Sequence, residues 1–317
     1  MQAREAGAKS PMAEIYPIGG GKGGVGKSFI TASLGTLIAK WGKKVVLIDL
    51  DLGASNLHTL LGMKSPKIGL NSFLNKTVKN LESTAVPTMI PNLFLISSFH
   101  CYMEIANLFY AQKLKIIDAI KKLPFDYILL DLGPGTNFNT LDFFLTSKEG
   151  ILICTPEPTS IENSFRFIKT VYFRKLKQMI KKSTFDSVFK NTSSDLKRSG
   201  NNPPDIIETV LKHAPEKEEF LRNKLSEFKF KLIFNQFRNN IDATFGDHFE
   251  SICNRHFYSI FQFLGNISYD SRIHDAIFSK ILYIHKYPHT QSAADLKKIA
   301  AQIMSKIPSA SFAKDML

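Results

Sequence analysis

The stretch "GGGKGGVGKS", Gly19 to Ser28, carries two lysines, Lys22 and Lys27, in a run of glycines. Gly21-Lys22-Gly23-Gly24-Val25-Gly26-Lys27-Ser28 fits the pattern G-x-x-x-x-G-K-[ST] of a phosphate-binding loop. Glycines let backbone N–H groups curl around phosphate oxygens, and the start of a following helix adds a favourable dipole. Lys27 is placed to reach the β- and γ-phosphates of a nucleotide, and the Ser28 hydroxyl to ligate Mg²⁺. Phe29 continues the cradle into the helix. One lysine suffices for this chemistry, so Lys22 needs a separate account.

A nucleotide site of this kind also needs carboxylates for the metal and the attacking water. Asp131 closes the apolar run "FDYILLD" and is followed by Gly133-Pro134-Gly135. An aspartate at the end of an apolar strand holds Mg²⁺ directly or through water, and Gly133 can bring its backbone close to a γ-phosphate. The second pair is in "LIDLDLGASNLH", where Asp49 ends a strand and Asp51 begins a loop. Alternation along the chain is expected to point them the same way. One then stands near the metal and lysine while the other orients water.

These groups require a scaffold that brings strand ends together. Runs at 14–20 ("EIYPIGG"), 44–49, 93–97, 127–131, 150–155, 230–235 and 261–267 are short, nearly continuous apolar stretches that end at polar or glycine-rich turns. Buried parallel strands read this way. Pro17 lacks a ladder donor, which argues against an interior place for the first strand. Helical spacing links Ile30, Leu34, Leu37 and Trp41 behind the loop, and Ile161, Phe165, Ile168, Tyr172, Leu176 and Met179 further on. Alternation of strand and helix predicts an α/β fold, a mostly parallel twisted sheet with helices on both faces. The expected organisation is a flexible N-terminus (1–13), one domain (14–307) with a partly helical polar insertion at about 183–229, and a tail (308–317).

Composition narrows the class. A hydrophobic fraction of 44% with 22% charged residues is that of an ordinary globular chain. No run approaches the roughly 18 apolar residues of a membrane span, and "MQAREAGAKSPMAE" has no apolar core of a secretory signal. Cys101, Cys154 and Cys253 form no C-x-x-C pair, which argues against a disulfide framework or metal cluster and fits a cytoplasmic protein. The excess of 41 basic over 28 acidic residues, net +13, points to anionic partners or to a solubilising surface.

Taken together, "KGGVGKS" resembles the deviant Walker-A motif of the MinD/ParA ATPases. "VVLIDLDLGASNLHTLLG" is similar to their switch I, "FDYILLDLGPG" to their Walker B and switch II, and "CTPEPTSIENSFRFIK" to the strand and helix that follow. The likeness runs from about 14 to 182, resumes at about 230, and is closer to the MinD/FlhG (FleN) branch. It implies the P-loop NTPase fold, ATP with Mg²⁺, and hydrolysis in an ATP-dependent homodimer. In that dimer Lys22 matches the signature lysine that reaches the partner's phosphates. A cation supplied in trans stabilises charge on the transferred phosphoryl group. Asp51 matches the aspartate that orients water, and Asn235 in "IFNQF" the residue whose amide reads adenine. The "NQF" departs from the more usual Asn-Arg pair, and 265–273 ("GNISYDSRI") resembles the stretch beside the base but lacks its frequent proline.

The resemblance implies a spatial switch, positioning flagella or a division site from the inner face of the cell membrane, with an activating protein that the sequence does not identify. ParA-like partition over DNA is the rival, and an iron–sulfur carrier of the same superfamily a third reading. Two stretches could meet the anionic surface. Leu296, Ile299, Ile303 and Ile307 keep helical spacing beside Lys297, Lys298 and Lys306, and the tail holds Phe312, Met316 and Leu317. The first is expected to pack on the sheet; the tail could insert. From Arg174 to Arg198 there are eight basic residues against Asp186 and Asp195, a face suited to lipid or DNA phosphates or to solvent.

Overall fold

The computed structural model describes residues 13–101, 110–180 and 218–305. Eight strands form one sheet in the order β3-β4-β2-β5-β1-β6-β7-β8. They are β1 (Glu14–Gly19), β2 (Val45–Leu50), β3 (Val86–Pro87), β4 (Leu93–Ile96), β5 (Tyr127–Leu132), β6 (Glu149–Cys154), β7 (Lys229–Phe237) and β8 (Ile260–Ser268). Every pairing is parallel except that of β3, a short edge strand antiparallel to β4. All seven runs read from sequence are strands, and β3 is the one the pattern missed, being too short to carry a period.

Pro17 corrects one expectation. It lies in β1, between β5 and β6, opposite Leu130. The ladder from β1 to β6 begins only at Ile18, so β6 pairing starts after the proline.

Alternation along the strands splits the core in two. Val46, Ile48, Leu130 and Leu152 face one side, with α4 (Tyr110–Ile120), α5 (Phe138–Phe144), α6 (Pro158–Met179), α7 (Glu218–Ser226) and α8 (Phe245–His256). Val45, Leu47, Leu129 and Ile151 face the other. That side is covered by α1 (Lys27–Lys40), α2 (Leu57–Leu60), α9 (Arg272–Phe278), α10 (Tyr283–Lys286) and α11 (Gln291–Ser305). Helix α3 (Leu70–Leu74) joins the first side through Leu70 and Phe73.

Helix α11 packs on the sheet as its spacing predicts, burying Leu296, Ile299 and Ile303. Within the expected insertion, 218–226 is helix α7, whose Leu221 and Leu225 join the core, and β7 begins at Lys229. The start of the insertion, the N-terminus to residue 12, Ile307, the tail and the basic run beyond residue 180 lie outside the described residues.

One buried ion cluster ties three helices together. Asp142 of α5 accepts from Arg174 Nε at 2.6 Å and Nη2 at 2.7 Å, and from Gln178 at 3.0 Å, both on α6. It also pairs with Lys113 of α4. Burial alone would raise the Asp142 pKa, but the Arg174 and Lys113 hydrogen bonds hold it below the ordinary carboxylate value. A carboxylate so depressed contributes stability above its unfolded pKa and loses it as pH falls through the folded value. Asp142→Asn leaves two cations uncompensated and is expected to cost about 3–5 kcal/mol near neutral pH. Urea melts check this: the gap between the two proteins should shrink as pH drops below about 4.

Candidate active site

The ends of β1, β2 and β5 bring the expected groups to one cleft of about 460 Å³, lined by Gly23, Gly24, Lys27, Ser28, Asp51 and Pro134 among others. The loop from Gly19 to Gly26 leaves β1 and opens α1. Gly26 caps that helix with φ 91°, a left-handed conformation that L side chains adopt at a cost. No acidic residue occupies the first turn, so the N–H groups and the helix dipole are left for an anion. Gly21 lies against the backbone carbonyl of Asn163 on α6, where an added Cβ would stand 2.2 Å from it. Val25 is buried; only its backbone faces the loop's work. Phe29 lines the cleft and packs edge-on against Tyr283 of α10.

The two lysines diverge. Lys27 is 7% exposed and lines the cleft. Burial lowers its pKa, and the charges of Asp131 and Asp51 oppose the fall. Lys22 is not among the residues that line the cleft. Its Nζ stands 3.3 Å from Glu157 Oε2 and 3.4 Å from Thr159 Oγ1, at the start of α6. Glu157 and Thr159 were not foreseen from sequence, and their contact with Lys22 spans 135 and 137 residues.

Asp131 is buried at the end of β5 and takes hydrogen bonds from the side chains of Ser28 and Thr31, the latter at 3.3 Å. Burial raises its pKa, and so does the neighbouring Asp49; Ser28, Lys27 and Thr31 act in the other direction. Ser28 and Asp131 thus present a hydroxyl and a carboxylate together. Such hard oxygens fit Mg²⁺, which takes one or two protein ligands and completes its shell with phosphates and water.

Asp49 and Asp51 take different partners: Asp49 stands in register beside Asp131 across the β2–β5 ladder, and Asp51 follows the strand's end at Leu50. Asp49 is 1% exposed and serves its own loop. It accepts from Ser55 Oγ at 2.7 Å, Leu57 N at 3.1 Å and Asp51 N at 3.2 Å. Asp51 lines the cleft, its carboxylate beside Gly133. The far end of this segment closes at Gly62, φ 68°, under the carbonyl of Lys280. Gly135 N donates to Gly20 O at 3.3 Å, joining the second loop to the first.

Asn235 at the end of β7 supports the loop from beside it. Its Nδ2 donates to Val25 O at 2.9 Å, while Gln236, φ 58°, donates from Nε2 to Gly24 O at 3.1 Å. The Gln that replaces the more usual Arg therefore has a use of its own. Asn235 is 3% exposed, and its Oδ1 is a buried acceptor without a hydrogen-bond partner among the described residues. Such an orphan suits an exocyclic amino donor like that of adenine. In the 265–273 stretch, Tyr269 N donates to Phe237 O, and the Arg238 guanidinium lies 4.3 Å over the Tyr269 ring.

This strand–loop–helix with its lysine, serine and strand-end aspartate defines a P-loop NTPase site. The chain matches the ParA family model, described as an NUBPL iron-transfer P-loop NTPase, over residues 12–181, more than half its length. It belongs to the ParA/MinD family of P-loop NTPases. The septum site-determining protein MinD of Synechocystis is 32% identical over 158 residues, 50% of this chain and 59% of that protein. The chain thus spans less than two thirds of that relative's length. Two solved structures share the fold. MinD of Pyrococcus horikoshii, complexed with Mg-ADP, has a TM-score of 0.60 at 20% identity, covering 92% of this chain and 96% of that one. A plasmid partition protein from Borrelia burgdorferi has 0.56 at 21%, covering 94% and 100%.

The Gly26 contact gives a direct test. An added methyl would stand 2.3 Å from Asn235 Nδ2 and force a left-handed alanine, which costs about 1–2 kcal/mol. Gly26→Ala should weaken Mg-ADP binding about tenfold or more by calorimetry, at roughly 1.4 kcal/mol per tenfold. The circular dichroism spectrum should be unchanged.

Proposed function

We propose that this chain binds ATP with Mg²⁺, forms an ATP-dependent sandwich dimer and hydrolyses ATP as a spatial switch of the MinD/FlhG kind. The reading extends to placement or number of flagella, or to division-site positioning, from the inner face of the cell membrane with an activating protein. The observation that carries it is the divergence of the lysines. Lys27 is buried in its own cleft, and Lys22 stands outside it, 3.3 Å from Glu157, where it is available to a second subunit.

In this mechanism the loop N–H groups and Lys27 hold the phosphates, and Ser28 with Asp131 hold the metal. Mg²⁺ supplies charge neutralisation on the phosphate oxygens when bound. Asp51 orients water for in-line attack, and Lys22 of the partner stabilises the charge that develops. Asn235 Oδ1 accepts from the adenine amino group. Among the described residues no helix is long and apolar enough to cross a membrane, which accords with peripheral attachment.

The family model's description mentions iron transfer. An iron carrier needs thiolates that can reach a partner, and all three cysteines of this chain are buried. Burial pushes the Cys101 thiol up to about 11 and the Cys154 thiol up to about 12, and raises Cys253 as well. These are inert, protonated thiols, which supports the switch over the carrier.

Sedimentation with ATP and ADP tests the reading. Asp51→Ala should bind ATP, slow hydrolysis by about 10²-fold or more and accumulate as a dimer. Lys22→Ala should lose the dimer and keep ADP binding; a Lys22→Ala protein that dimerises with ATP removes the trans role. An ATP dimer retained on DNA with steep salt dependence would favour the ParA-like alternative. Glu157→Gln releases Lys22 from an exposed pair worth about 0.2–1 kcal/mol, so the ATP dimer should tighten by up to about fivefold.

A further inference from the structure

All the strands except β3 run parallel, so they begin along one edge of the sheet, opposite the nucleotide cleft. Connectivity places the C-terminal ends of α1, α4 and α8 at that edge, and basic residues gather there. Lys40, Lys43 and Lys44 end α1 and enter β2; Lys121 and Lys122 follow α4. Lys148 precedes β6, and Lys229 begins β7 with its N–H on the Lys148 carbonyl at 2.8 Å. At roughly 4.8 Å per strand, Lys44 to Lys229 spans about 19 Å.

Acidic residues share this edge: Glu14 begins β1, Asp126 precedes β5 and accepts from Lys44 N at 2.8 Å, and Asp118 lies on α4. Glu149 pairs with Lys229 and Lys231, and Glu227 with Lys148 and Lys224. No acidic partner within ion-pair distance is seen for Lys40, Lys43, Lys121 or Lys122 among the described residues. Lys175, beneath the same edge, has its pKa lowered by burial; Glu227 opposes this, and Lys224, Lys148 and Lys121 add to the fall.

The edge also exposes apolar side chains, one ahead of β2 and one on the last strand, β8. Trp41, in "KWGKK" at the end of α1, is 43% exposed, and Ile260, first residue of β8, is 44% exposed. Lysines between apolar anchors fit a bilayer interface, where tryptophan settles among headgroups and lysines meet anionic phosphate. A DNA backbone offers nothing comparable to Trp41 and Ile260. Helix α11 starts at the far end of β8, where Ser292 Oγ donates to Ser268 O, and runs back toward this edge.

We propose that this strand-start edge is a docking face for an anionic bilayer surface, anchored by Trp41 and held by the lysines around it. It rests on the proposed membrane role for the choice of surface, and it locates contact on the folded domain rather than only in the tail.

Trp41 is the single tryptophan of the chain, so it reports on the face directly. The full chain is titrated, with ADP and with ATP, into phosphatidylcholine vesicles with and without phosphatidylglycerol. Its emission should shift to the blue and be quenched by brominated lipid with the anionic vesicles only. Lys121→Ser with Lys122→Ser, folded by circular dichroism, should weaken partitioning about 25-fold, at about fivefold per lysine. Vesicle binding with unchanged Trp41 emission, no binding to anionic vesicles, or a Trp41 response to duplex DNA instead would each overturn the proposal. Dimer formation is followed separately by sedimentation. Loss of the ATP dimer with an intact Trp41 signal would reject the switch and leave the face standing.

Discussion

A buried ammonium governs this site. Lys27 is 7% exposed at the start of a helix whose own dipole is positive there. Both burial and the dipole oppose its charge, and the structure offsets them with carboxylates, Asp131 and Asp51. Asp131 in turn is buried and needs Thr31 and Ser28 to keep its oxygens satisfied. The site therefore holds a surplus of unsettled charge, which a polyanion with a divalent cation would settle. That demand explains why the loop must be so firmly backed, by Asn235 on Val25, by Gln236 on Gly24 and by α6 against Gly21.

Much of this was legible in sequence because strand ends are. An apolar run that stops at Asp131 or Asp49 announces where a parallel sheet presents its C-terminal edge, and the glycine spacing of the loop needs no partner to be recognised. What sequence could not supply was direction after a strand stops. Asp49 and Asp51 differ by two positions, yet one accepts hydrogen bonds from Ser55 and Leu57 of its own loop and the other lines the cleft, a division that no local period announces. The Lys22–Glu157 pair joins distant residues across the sheet and has no local period. Pro17 misled for the opposite reason: the rule about ladder donors is local, while the β6 ladder beside it starts one residue later.

The two faces of the sheet divide the labour. One carries α1, α2 and α9–α11, of which α1, α2 and α9 line the nucleotide cleft. The other is bound by Asp142 across α4, α5 and α6. Helix α6 belongs to the second face by packing but meets the first loop through its own beginning, where Glu157, Thr159 and Asn163 touch Lys22 and Gly21. The ion cluster and the phosphate loop are thus two ends of a single rigid rod.

The segment from Asp51 to Gly62 is tied to the Asp49 carboxylate through Asp51 N and Leu57 N, and at Gly62 it passes so near the Lys280 carbonyl that an added Cβ would stand 2.5 Å from it. Gly62 therefore fixes how near the loop after α9 can lie to the Asp51 segment: a side chain there would have to push the Lys280 carbonyl away, and the left-handed backbone would be strained as well.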